Sequence, residues 1–348
     1  MTVSQAATLD WPAADLESVP RCPVCGGDRR TLLHDGLADR AFFCAGGGWS
    51  LHRCLDCSGA FLDPRPDRRT IGKAYASYYT HSDPSVEPAA GGLRAALRNG
   101  YLNARYGYDL TPAAGLGRTL APLFAKTRSY ADRSVRNLHK TRAGARLLDV
   151  GCGDGAFLAE MAAAGWDVQG IEPDPGAAAV AAARGIPVAA EPLEDAALEP
   201  ESFDAVTMNH VIEHFHQPLE ALRIVRGLLR PGGTVWIATP NLAARGHAAF
   251  GRDWIGLDPP RHLVLFTRSA LARALASTGF EAGAYASDYS ARIFFPWSAT
   301  IAAREDPSDE LAVARHRNRL TVFKADLVAR LDQRRAESIV VSARAEPA

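Results

Sequence analysis

The chain has 348 residues, with 39 Lys and Arg against 39 Asp and Glu, and a formal net charge of zero. At about 100–200 residues per domain the length predicts two domains or one domain with an appendage, and 47% hydrophobic residues are enough for a sizeable core. Balanced charge gives no global field for a polyanion, so nucleic acid is an unlikely partner, and no apolar run is long enough for a membrane span.

In chain order, residues 1–20 read as a flexible tail with no basic and apolar leader pattern, so the expected location is the cytoplasm. Residues 21–65 carry Cys22-Pro-Val-Cys25 and Cys54-Leu-Asp-Cys57, two paired-thiol turns with glycines beside them. Two such turns can direct four thiolates at one ion, and an all-sulfur set predicts a closed, structural Zn²⁺ site. Cys44 is left over, either a substitute ligand or, as expected, a small buried apolar residue, and His34 and His52 are either competing ligands or ordinary loop residues.

Asp63-Pro-Arg-Pro66 then favours extended backbone, and 66–140 reads as a helical connector or lid rich in Tyr and Arg, with a Pro/Ser/Gly-rich stretch at 81–92. From 141 to 348 short apolar strands alternate with helices. Strands are expected at 146–150, 167–171, 186–189, 203–208, 234–238, 281–286 and 338–343, with one long charged helix over about 306–334. This β-α-β texture predicts a doubly wound, Rossmann-like α/β sheet.

The first of these strands ends in Asp149-Val-Gly151-Cys-Gly153-Asp-Gly155, three glycines between a strand and a helix. Glycines there allow positive φ and close backbone approach to a ligand. A loose dinucleotide fingerprint, Gly151-x-Gly153-x-x-Ala156, is also present, so a nicotinamide oxidoreductase is a rival reading.

The run Asp149-x-Gly151-x-Gly153-x-Gly155, followed in order by Glu172, Ser202–Val206 and Leu229-Arg-Pro-Gly-Gly233, resembles the class I S-adenosylmethionine-dependent methyltransferases. The resemblance implies a seven-stranded sheet whose last strand is antiparallel and lies beside the fifth. It also implies that Asp149, Gly151, Gly153 and Gly155 surround the methionine part of S-adenosylmethionine. Glu172 would hold the ribose, with Asp174 as competitor; Glu191 or Glu194 would border the adenine, and Asn209 would lie beside the cofactor. Cys152 is expected to be a filler there.

His210-Val-Ile-Glu213-His214 resembles the Glu-x-x-Glu-His run that ubiquinone-pathway O-methyltransferases link to a divalent metal, with His210 in place of the first Glu. A scaffold role for this run is the other reading. The irregular stretch from Phe250 to Leu263 resembles the substrate side of bacterial methyltransferases with an N-terminal zinc module. Its His262 is the leading general base, ahead of His214 and His210, since an imidazole can take the proton of a hydroxyl; a histidine simply packed in the Pro-Pro turn is the other reading. Arg252 and Arg261 either clamp an anionic substrate or pair with Asp253 and Asp258.

The expectation is therefore methyl transfer to an oxygen or carbon of a small molecule. A zinc-bearing rRNA methyltransferase is the alternative, and the partly balanced charge of the cysteine segment leans against it.

Overall fold

The computed structural model describes residues 11–43, 45–75, 92–121, 125–281, 283–286 and 290–346. Cys44 and most of the 81–92 stretch lie outside them. The strands are β1 (Leu16–Glu17), β2 (Arg30–Leu37), β3 (Trp49–Cys54), β4 (Ala60–Leu62), β5 (Arg65–Pro66), β6 (Arg146–Val150), β7 (Asp167–Ile171), β8 (Val188–Ala189), β9 (Phe203–Asn209), β10 (Leu229–Pro240), β11 (Val264–Leu265), β12 (Ala284–Tyr285) and β13 (Ser338–Arg344). The helices are α1 (Leu93–Tyr106), α2 (Gly117–Leu120), α3 (Ala125–Ser134), α4 (Ala156–Ala163), α5 (Pro175–Ala183), α6 (Pro218–Leu228), α7 (Arg245–Phe250), α8 (Arg268–Ala276), α9 (Ala291–Ala302), α10 (Glu310–Arg315) and α11 (Arg319–Leu331).

Seven strands form one sheet in the order β12-β13-β10-β9-β6-β7-β8. β6 pairs in parallel with β7 and β9, and β7 with β8. β13 lies beside β10, as expected, and pairs antiparallel with β12. The central strands are continuous apolar runs because both faces are covered: Leu147, Leu148, Val206 and Met208 are fully buried.

The contacts divide the chain into two compact units. One comprises Tyr79–Met208, Ile224–Trp236 and Ala345–Ala348 and holds β6–β8 with α1–α5. Here α5 begins where Asp174 caps it, its carboxylate accepting from the N–H groups of Gly176 and Ala177, with Pro175 in the first turn. The tyrosines of 101–108 are packed rather than assembled into a lid: Tyr101 and Tyr106 both donate to Asp132.

The other unit comprises Met1–Tyr78, Asn209–Arg223 and Ile237–Arg344. Its four-stranded sheet runs β11-β4-β3-β2, with Val264 opposite Phe61 and Leu265 opposite Ala60. This pairing is why the linear division at 65 and 140 does not coincide with the compact units: the cysteine segment completes its sheet with a strand from beyond residue 260. Trp49, Leu51, Leu62, Trp254 and Leu265 share one core with Leu37 and Phe294.

The long helix over 306–334 is instead two helices and a short 3-10 turn. Asp309 caps α10, and Asn318 caps α11 by accepting from the N–H groups of Leu320 and Thr321. Those side chains offer the backbone a local alternative to continuing the helix.

Candidate active site and cysteine centre

In the unit of β6–β8, the glycine turn leaves β6 with Gly151, Gly153 and Gly155 at φ of 68°, 56° and 74°, a region that favours glycine. A Cβ at Gly153 would meet nothing within 4 Å, so the crest of the turn is open to a ligand. At Gly155 it would lie 2.8 Å from the Ala181 side chain, so that glycine serves helix packing. Glu172, at the end of β7, is buried and accepts from the N–H groups of Gly153 at 2.8 Å and Asp174 at 2.9 Å. Each carboxylate oxygen thus keeps lone-pair capacity, and the carboxylate fits as acceptor for the two hydroxyls of a ribose. Burial raises the Glu172 carboxyl, and the two backbone N–H groups oppose the shift.

Asp149 is fully buried. Its carboxylate accepts from the Thr207 hydroxyl at 2.7 Å and forms an ion pair with Arg136, whose guanidinium stacks 3.5 Å from the Phe157 ring. Burial raises Asp149 while Arg136 and Thr207 work against it. Asp149 therefore braces the turn through Arg136. Asp174 is engaged as the α5 cap, Glu191 is half-buried after β8, and Asn209 is exposed at the end of β9. Cys152 is buried beside Gly170, its thiol pushed up to about 12 by burial, which suits a filler and not a nucleophile.

In the other unit, two segments bring Glu213, His214 and His262 together, with ligand atoms all within 4.8 Å of one another. His262 is buried, and its Nδ1 lies 2.9 Å from the Gly256 carbonyl. A carbonyl only accepts, so Nδ1 carries the proton of the neutral ring and Nε2 keeps its lone pair. That Nε2 is 3.8 Å from Asp258 Oδ2 and 3.9 Å from Glu213 Oε1, beyond hydrogen bonding. His214 Nδ1 lies 2.9 Å from both the Arg261 carbonyl and the Tyr75 hydroxyl. Burial, then His262, brings His214 down to about 4, so it is neutral at neutral pH.

Glu213 is wholly buried and neither of its oxygens makes a hydrogen bond; the nearest basic nitrogen is His210 Nδ1 at 3.3 Å. Burial pushes Glu213 up, but the surrounding histidines, His210 first, outweigh it and bring the carboxyl to about 2. His210 itself sits at φ 55°, where the chain leaves β9.

Behind these rings Arg261 is completely buried. It donates to both oxygens of Asp258 and both of Asp39 and to the Ala74 carbonyl, and its guanidinium lies over the Phe42 ring. This corrects the substrate-clamp reading of Arg261: its donors are spent inside the protein. Arg252 likewise donates to the carbonyls of Asp35 and Gly36, and Asp253 pairs with Arg40 and Arg304.

The four cysteines meet in the same unit. Sγ of Cys22 is 3.7 Å from that of Cys57, and Sγ of Cys25 is 3.5 Å from that of Cys54. Tetrahedral Zn²⁺ with bonds near 2.3 Å sets sulfurs about 3.8 Å apart, so the residues fit the ion. At Gly27 a Cβ would lie 2.2 Å from Asp56 Oδ2, so a larger residue there would displace the Asp56 carboxylate. His34 is paired away from the cysteines, its Nε2 2.9 Å from His247 Nε2. His52 lies tilted against Phe61.

Arg136, Asp39 and Tyr75 belong to these sites without standing in any motif: Asp39 and Tyr75 reach their partners from distant segments, and Arg136 reaches Asp149 from the segment before β6.

A family model described as a methyltransferase domain matches residues 124–284. The chain is 34% identical over 163 residues to a ubiquinone biosynthesis O-methyltransferase of Xanthomonas campestris pv. campestris, covering 44% of this chain and 68% of that protein. The chain belongs to the S-adenosylmethionine-dependent methyltransferases. A second relative, the ubiquinone biosynthesis O-methyltransferase of Xanthomonas axonopodis pv. citri, is 34% identical over 164 residues, with 44% and 69% covered. Among solved structures, an S-adenosylmethionine-dependent methyltransferase of Mesorhizobium loti is 20% identical, covering 61% of this chain and 96% of that one, with a TM-score of 0.43. The nicotinamide reading of the glycine turn falls with this assignment. No helix of the methyltransferase, among the described residues, is long and apolar enough to cross a membrane.

Proposed function

We propose that the methyltransferase transfers a methyl group to the hydroxyl of a small molecule, with His262 as the general base. The observation that carries the base assignment is the Gly256 carbonyl at His262 Nδ1, which leaves Nε2 as the acceptor. Glu172, Gly151, Gly153 and Gly155 would hold S-adenosylmethionine, and Arg136 with Thr207 would keep Asp149 in place beneath the turn. When bound, the cofactor supplies a methyl group already activated by its sulfonium, so the protein's work is alignment and removal of one proton. As general base, His262 Nε2 would take the acceptor's hydroxyl proton, and the Glu213 carboxylate, 3.9 Å from it, would stabilise the resulting imidazolium.

The small-molecule hydroxyl is supported by relatives named for O-methylation in ubiquinone biosynthesis, which also weigh against the rRNA alternative. Cys22, Cys25, Cys54 and Cys57 would hold a structural Zn²⁺ that fixes residues 21–65, in a cytoplasm that keeps thiols reduced.

One observation favours a second reading of the histidine cluster. The buried, ionised Glu213 with no hydrogen bond to either oxygen, beside His214 and His262, is a carboxylate-and-imidazole set suited to a divalent transition metal.

The test is transfer of labelled methyl to a panel of phenols, catechols and sugars. His262→Ala should lower turnover about a hundredfold or more while cofactor affinity holds. Full activity in His262→Ala would remove it as base. Activity lost on chelation and restored by Mg²⁺ or Zn²⁺ would favour the second reading.

A further inference from the structure

The net charge of zero conceals a strongly basic surface segment that neither site uses. α11 packs inward through Ala325 and Ala329, with Val322 against Ala291 and Phe295. Its opposite face carries four large apolar side chains in the open: Leu320 is 60% exposed, Phe323 63%, Leu327 43% and Leu331 81%. At 100° per residue these four fall on one stripe, directly opposite the buried alanines, running about 16 Å along the helix. Exposed cations border the stripe and both of its ends: Arg317, Arg319, Lys324, Arg330, Arg334 and Arg335, against Asp326 and Asp332 as the acids of the same stretch. Residues 317–335 thus carry six positive and two negative side chains, a net of +4. Arg315 and His316 add nothing to this, because both pair with Glu305.

Isolated exposed apolar residues are ordinary, but an apolar stripe flanked by cations is not. Pairing the stripe with a second copy of itself would bring two segments of net +4 together. An anionic lipid surface meets both demands at once: acyl chains take the stripe, and phosphates take the Arg and Lys heads, whose stems can lie along the interface. We propose that α11 is a membrane-docking helix, lying in the plane of an anionic lipid surface without crossing it.

The experiment is co-sedimentation of the full chain with vesicles of phosphatidylcholine alone and of phosphatidylcholine mixed with phosphatidylglycerol. Binding is expected on the mixed vesicles, weakened by salt, and absent on phosphatidylcholine. Phe323→Glu with Leu327→Glu, and separately Arg319→Glu with Lys324→Glu, should each reduce the bound fraction about tenfold, as one apolar and one electrostatic half of the attraction are removed. All four positions face outward, so both variants should keep the wild-type circular dichroism and cofactor affinity. Failure of the wild-type chain to bind anionic vesicles would overturn the proposal, as would equal binding by the charge-reversed variant. So would a wild-type dimer that Phe323→Glu dissociates while vesicles are ignored.

Discussion

The glycine turn and the histidine cluster are built in opposite ways. The turn draws its key groups from one short stretch, Asp149 to Glu172, where strand, turn, helix and next strand follow one another. The histidine cluster is assembled from Asp39, Tyr75, Glu213, His214 and the stretch from Asp258 to His262, segments far apart in the chain. The first site owes its geometry to backbone conformation, and the second to a buried ion network. Substitutions should therefore damage them differently.

The largest effect is expected where the second site is braced. Arg261→Ala would leave Asp39 and Asp258 buried without their cation, a loss of about 3–5 kcal/mol of stability, measured by urea unfolding. Adding Asp39→Asn to Arg261→Ala should recover part of the loss; if it does not, the two residues are not coupled as the geometry requires. Cys22→Ser comes next. It should release the bound metal, read by emission spectrometry, and lower the melting temperature; retained stoichiometric zinc would exclude the four-sulfur site.

In the first site, Glu172→Ala removes a charged acceptor, worth about 1.5–3 kcal/mol, or about ten- to a hundredfold in cofactor affinity. The fold should survive, since only the Gly153 and Asp174 N–H groups lose a partner.

The smallest effect is a pH slope. Burial lowers the pKa of both His34 and His247, whose Nε2 atoms lie 2.9 Å apart. The unfolded chain, with histidines near 6.5, then binds more protons than the folded one below that pH. Their contribution to stability is full above about 6.5 and is lost as the pH falls through the lowered values of the folded state. Unfolding free energies between pH 5 and 7 should rise with pH, with a shallower slope in His247→Asn. An unchanged slope would remove the pair as its source.

The same contrast explains what the sequence disclosed. The strands of the sheet and the glycine turn were legible because strand–turn–helix spacing is local, and so were the two thiol pairs, because each turn brings its own sulfurs together; the place of the last strand beside the fifth followed only from the family resemblance. The partners of Asp149 and Arg261 were not legible. Arg136 reaches Asp149 from a segment read only as connector, and Asp39 lies between two cysteine turns with nothing in its surroundings to mark it. The single helix over 306–334 failed for a local reason that the sequence does contain, Asn318 as a cap, masked by the helix-forming residues on both sides. The histidines were recognisable as candidates, but their tautomers follow from carbonyls at Gly256 and Arg261 that no motif specifies.

The most direct test of the account is a calorimetric titration of S-adenosylhomocysteine into the wild-type chain and Glu172→Ala. One site per chain and an affinity at least about tenfold weaker in the variant are expected. No binding by the wild-type chain, or equal affinity in the two, would contradict it.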